Sequence, residues 1–202
     1  MYSLAESIPQ PGERRDDERH LTLFRVGAMS VAGRRELCLI KNISTGGMKI
    51  RPYCELVIGD EITVELKTGM IVPGTVAWIS DGNAGISFHQ PVDVVEILSQ
   101  SASGPRPRMP RIEVACSATI RDGANVHKVV VRDVSQGGLK VECPAPLDNG
   151  VGLAVTLPGM ETQAGVACWV DGGLAGISFN RLLPLSELVT WLKAMREELR
   201  AA

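Results

Sequence analysis

Apolar residues never run together for long in this chain, and no stretch approaches the ~18 in a row that a membrane-crossing helix needs. The opening MYSLAESIPQPGERR lacks the continuous apolar segment of a secretory leader. Aromatic residues are scarce, at 4%, which leaves few flat faces for stacking single-stranded nucleic acid. Positive charge is not in excess either. The formal net charge is −2, so no global field recruits DNA, RNA or an anionic lipid surface, and any anion site has to be local. The five cysteines (Cys38, Cys54, Cys116, Cys143 and Cys168) are odd in number and show no CxxC spacing. This argues against a disulfide scaffold or a zinc site. Cys116, Cys143 and Cys168 fall in strand-like apolar runs, where a free thiol acts as a small hydrophobe. The three histidines, His20, His89 and His127, have no acidic or cysteine neighbours at ligand or triad spacing, and no GxxxxGK[ST] phosphate loop is present. The expectation is a reduced, cytoplasmic, non-enzymatic protein with no metal and no cofactor.

Apolar content of 45% and charged content of 22% are those of an ordinary globular chain, and 202 residues suffice for two small domains. The chain repeats itself. VAWISDGNAGISF, residues 76–88, returns as ACWVDGGLAGISF, residues 167–179, so that Trp78, Gly85 and Phe88 each meet their counterpart 91 residues later. The same offset lays Asn42 on Asp133, Ser44 on Ser135 and Gly46–Gly47 on Gly137–Gly138, while Arg19 meets Arg111 with a one-residue slip. The seam falls in SQSASGPRPRMP, residues 99–110, rich in the Ser, Gly and Pro that disfavour regular structure. The expected division is a tail over 1–13, one domain over 14–103 and a second over 104–202.

Within each copy apolar residues alternate. Ile112, Val114, Cys116, Ala118 and Ile120 share one face, as do Leu139, Val141 and Cys143, then Ile62, Val64 and Leu66, then Leu153, Val155 and Leu157. This rhythm predicts antiparallel sheet with one wet face. Roughly six short strands per copy hide their edges best by closing into a barrel. Behind Pro184, Leu185, Leu188, Val189, Leu192, Met195 and Leu199 recur at helical spacing and predict a closing helix, with VDVVEIL as its weaker counterpart in copy one. Trp78 and Trp169 are expected to pack in the core or at a barrel end.

Two short stretches invite chemistry. NISTGG (42–47) and DVSQGG (133–138) each place a polar residue and a serine on one strand face, followed by paired glycines. Taken alone they are turn sequences. ERRDDERH (13–20) and PRPRMPR (105–111) read alone as solvated charge, yet Arg is also a planar fork suited to phosphate and guanine. Each pair occurs in the same order in both copies. RxxxR followed by [D/N]xSxxG resembles the PilZ family. Copy one matches it with Arg15–Arg19 and Asn42–Ser44–Gly47, copy two with Asp133–Ser135–Gly138, and GISF resembles the family's closing strand.

The resemblance implies two mainly β, six-stranded antiparallel barrels, each with a C-terminal helix, and cyclic di-GMP as ligand. Carried onto this sequence, it implies binding in copy one by Arg14, Arg15, Arg19, Asn42, Ser44, Gly46 and Gly47. Arginines would fork onto phosphate or guanine, polar side chains would take base edges, and glycines would leave room for the base. In copy two the corresponding set is Arg106, Arg108, Arg111, Asp133, Ser135 and Gly138. There Pro107 stands where the first arginine belongs, and Pro105, Pro107 and Pro110 restrict the wrap. Copy two is thus either a weaker site or a structural domain. The implied function is a receptor that changes conformation on binding and signals to a protein partner, with no DNA or RNA ligand. The rival reading is a protein–protein scaffold that binds no nucleotide.

Overall fold

The computed structural model describes residues 22–66, 70–97, 109–144 and 147–201. In the first half, β1 (Thr22–Val31), β2 (Arg34–Ile43), β3 (Gly47–Pro52), β4 (Glu61–Glu65), β5 (Ile71–Ser80) and β6 (Asn83–Phe88) close into a barrel, followed by a helical turn, α1, over residues 94–97. In the second, β7 (Ile112–Asp122), β8 (Asn125–Ser135), β9 (Gly138–Glu142), β10 (Gly152–Thr156), β11 (Gln163–Asp171) and β12 (Leu174–Phe179) do the same, followed by α2 (Leu185–Ala201). Both barrels are antiparallel and share one strand order, β1-β2-β3-β6-β5-β4 and β7-β8-β9-β12-β11-β10, the last strand pairing back to the first. Closure leaves no free edge on which a second chain could template. The mainly β fold with two six-stranded barrels stands as the sequence implied.

Alternation fills each interior. Ile62, Val64, Val72, Val76, Ile50 and Ile86 are buried in barrel 1; Ile120, Val131, Leu139, Val141, Val155 and Ile177 are buried in barrel 2. The helices seal one end of each core: Val94 and Ile97 join the first, Leu188, Leu192 and Met195 the second. Two-residue turns link β1–β2 and β5–β6, with Ala32, Gly33, Asp81 and Gly82 all at positive φ, the backbone that makes a two-residue hairpin follow strand twist. Burial pushes the Cys38 thiol up to about 12, keeping it protonated and inert inside barrel 1.

The barrels meet through β2, β7 and α2. Leu37 leaves its own barrel and is buried in the core of barrel 2, with Val26 and Tyr53 packed against the same cluster. Beside it the Glu36 carboxylate is 4% exposed and accepts from the Arg196 guanidinium at 2.6 Å, while Arg196 also donates to the Arg35 carbonyl at 3.4 Å. Arg35 Nε donates to the Arg111 carbonyl at 3.0 Å, and its guanidinium pairs with Glu65. The joint is dry enough that burial, then the Glu36 charge, hold the Cys54 thiol up at about 11.

A carboxylate this buried is tolerated only while paired. Arg196→Ala is expected to lower the unfolding free energy by about 2–3 kcal/mol in a urea titration, discounted for the arginine's partial exposure. Adding Glu36→Gln should then return about 1 kcal/mol, since the uncompensated charge disappears with it.

Candidate functional site

Strict alternation would carry Asn42 and Trp78 into the interior of barrel 1, behind the buried Ile40 and Val76. It breaks at both places. The β2–β3 ladder shifts register between Ile40 and Asn42, and the β5–β6 ladder between Val76 and Trp78. Each extra residue turns the following side chain to the outer face. Barrel 2 carries the same shifts between Val131 and Asp133 and between Ala167 and Trp169. Trp78 and Trp169 are therefore 41% and 42% exposed, not core or barrel-end residues as their apolar setting suggested. Cys168 is turned out with Trp169 and is exposed, unlike the small core hydrophobe expected of it.

In barrel 1 these residues converge. Asn42, Ser44, Gly46, Gly47, Lys49 and Trp78 line one open hollow of about 430 Å³ on the outer wall. Ser44 closes the turn that forms its floor, its amide donating to the Gly47 carbonyl at 2.8 Å and its hydroxyl to the same oxygen at 3.1 Å. Asn42 Oδ1 accepts the Lys49 amide at 3.1 Å, and the Asn42 side chain lines the hollow. The indole of Trp78 lies flat over Gly85, where a Cβ would stand 1.9 Å from Nε1. Lys49 Nζ sits 5.8 Å from the Trp78 ring centroid. The hollow thus offers amide donors, a cation and an aromatic face, a set that suits a purine with an attached phosphate. Lys49 and Trp78 had no place in the sequence-derived site. The signal that could have found them was the match of Trp78–Gly85 to Trp169–Gly176, large against nothing, on facing strands.

Gly47 has a structural reason to be glycine. A Cβ there would lie 2.4 Å from the Ile86 carbonyl oxygen, and at Gly138 2.0 Å from that of Ile177. The last glycine of each motif makes room for the neighbouring strand, whatever else it leaves room for.

The shelf of barrel 2 is built alike and filled differently. Ser135 Oγ donates to the Gly138 carbonyl at 3.1 Å, repeating the Ser44 turn. Asp133 pairs with Arg111, and Lys140 Nζ, the counterpart of Lys49, is drawn to its other oxygen at 3.4 Å. Asp133 and Ser135 are 9% and 3% exposed. Of the other arginines singled out in the sequence, Arg14, Arg15, Arg19, Arg106 and Arg108 lie outside the described residues. No group of three or more His, Cys, Asp or Glu among the described residues is placed to hold a metal ion. Among the described residues no helix is long and apolar enough to cross a membrane. His89 meets Thr75 Oγ1 at 3.1 Å and Glu61 Oε2 at 2.9 Å across the barrel wall, forming a surface pair.

A family model for the PilZ domain matches the chain twice, over residues 13–100 and 105–193. The chain belongs to the PilZ domain family. No curated protein matches it. Solved structures similar to this PilZ chain include the PlzA protein of Borreliella burgdorferi in complex with c-di-GMP, at 13% identity over 83% of this chain and 86% of that one, with a TM-score of 0.37. YcgR of Escherichia coli in complex with c-di-GMP is 15% identical over 87% and 86%, with a TM-score of 0.36. The inhibitor of motility MotI/DgrA of Bacillus subtilis is 12% identical over 89% and 99%, with a TM-score of 0.34. The family assignment rests on the two domain matches.

Gly85→Ala should lift the Trp78 indole off the wall. A red shift of tryptophan emission, relative to wild type, is the expected reading; an unchanged spectrum with an intact fold would contradict the flat packing.

Proposed function

We propose that the chain is a non-enzymatic cytoplasmic receptor for cyclic di-GMP, that barrel 1 takes the ligand, and that binding changes its conformation and so its standing with a protein partner. The observation that carries this reading is the hollow in which Asn42, Ser44, Gly46 and Gly47 meet Lys49 and Trp78. One guanine would lie against the indole, with Asn42 Nδ2 donating to its O6/N7 edge and Lys49 facing a phosphate. Chain geometry supports the arginines as the covering half. Thr22 pairs directly with Asn42 in the β1–β2 ladder, so the strand begins at the rim of the hollow. Arg19, three residues before it, is within ~10 Å of that rim by chain length alone, and Arg15 within ~25 Å. Two guanidiniums can then reach a ligand that carries two negative charges. Barrel 1 is favoured over barrel 2 because its Lys49 remains beside a neutral Asn42, whereas the cations of the second shelf are already paired.

Calorimetry with cyclic di-GMP tests the reading. Wild type should bind, and Arg15→Ala, Arg19→Ala and Asn42→Ala should each weaken binding at least about ten-fold, or ~1.4 kcal/mol. No heat with wild type, or full affinity in both arginine variants, would leave the ligand-free scaffold as the better account. Small-angle scattering of free and saturated protein addresses the conformational part: the two curves should differ, and identical curves would remove it.

A further inference from the structure

The second motif is busy with something other than an open ligand hollow. Its aspartate is buried and holds two cations, Arg111 and Lys140. Its first glycine is covered: a Cβ on Gly137 would meet Met109 Sδ at 3.2 Å and Leu182 Cδ2 at 3.6 Å. Gln136, between the serine and the glycines, donates to the Leu183 carbonyl at 2.9 Å and accepts through its own carbonyl from the Leu183 amide at 2.8 Å. The residues before β7 and those after β12 are thus both fastened down on the shelf.

What this fastening presents is the backbone of Arg111. While its guanidinium is held by Asp133, its carbonyl accepts from Arg35 Nε of barrel 1 at 3.0 Å. Arg35 is itself steadied by Glu65, on the strand at the far side of β1. One residue therefore connects the motif aspartate of barrel 2 to the wall of barrel 1, beside the Leu37 and Glu36–Arg196 contacts.

We propose that the Asp133 shelf is the anchor of the barrel–barrel joint and takes no nucleotide, its aspartate acting as a positioning residue that sets Arg111 for Arg35. Both oxygens of this little-exposed carboxylate are engaged by cations, so a guanine edge would have to compete with them for it. Displacing Arg111 to make room would leave Asp133 short of a partner in a buried setting and would release Arg35 as well. The asymmetry with barrel 1 follows from one residue. Neutral Asn42 at the equivalent position gives a cation no charge to pair with, and Lys49 stays over Trp78.

A double-mutant cycle on nucleotide-free protein reads the joint directly. Arg35→Gln and Asp133→Asn sit in different barrels and do not touch each other, so without a relay their effects on the unfolding equilibrium constant should multiply. A departure from that product of at least about two-fold in a urea titration is expected. Multiplicative behaviour overturns the proposal. The nucleotide half rests on the receptor reading and has its own arm. Asp133→Ala, which leaves neither an amide nor a carboxylate for a guanine edge, should keep the ligand stoichiometry of wild type and its affinity within about two-fold, a change of under ~0.4 kcal/mol. Loss of a ligand equivalent in that variant overturns the proposal too. If cyclic di-GMP gives no heat with any form, the receptor reading fails while the cycle still decides the joint.

Discussion

Closing six short strands into a barrel commits every second residue to an interior with no place for an amide or an indole. The hollow on the outer wall of barrel 1 exists because the ladder slips by one residue in β2, just before Asn42, and again in β5, just before Trp78. Each bulge moves one side chain from a core position to the wall and sharpens the local twist. The serine turn and the glycine pair then follow on the same face, with Gly47 pressed against the Ile86 carbonyl so that β3 and β6 can stay in register. The core and the hollow are therefore set by the same hydrogen bonds. A change that removed the bulges would bury two polar or half-polar groups and erase the hollow together.

Duplicated scaffolds diverge most cheaply in charge. The two barrels agree in strand order, in the position of their bulges, in the serine turn and in the tryptophan laid over a glycine. They differ in whether the shelf residue is an amide or a carboxylate. With Asn42 the neighbouring lysine stays at the aromatic face; with Asp133 the lysine and an arginine are both captured. Coulomb attraction at a partly buried carboxylate is strong enough to reorganise long flexible side chains, while a neutral amide exerts no such pull. One substitution can so turn an open cationic wall into a closed ion pair.

Much of this was legible in the sequence. The 91-residue repeat, the alternation in IEVACSATI and GLKVEC, and the helical spacing from Leu185 onward gave two closed barrels and the final helix. NISTGG could be read as a shelf because Asn42 and Ser44 are two apart and no bulge falls between them. What stayed hidden depends on register. A bulge leaves no mark in a hydrophobic pattern, so Trp78, preceded by Val72, Gly74 and Val76, looked like the next core residue. The pairing of Glu61 with His89 and of Glu36 with Arg196 joins residues far apart in sequence, and only strand order and domain packing bring them together. Leu37 was unremarkable in RRELC; that it fills a neighbour's core is a property of the assembled pair.

The two ends of β1 and β2 bear on how a ligand event could be felt elsewhere. Asn42 and Glu36 stand on one strand, six residues or ~20 Å apart. That strand is hydrogen-bonded on both sides, to β1 and to β3, and does not bend easily. A signal from the hollow to the joint through β2 itself would have to strain two ladders. β1 offers the more direct path, because Thr22 stands opposite Asn42 and the same strand carries Val26 to the core of barrel 2. Only three residues lie between Thr22 at the rim of the hollow and Val26 at the edge of the joint. A pull on β1 at Thr22 would therefore act on a short lever that already ends in the neighbouring barrel, while both barrel walls stay intact.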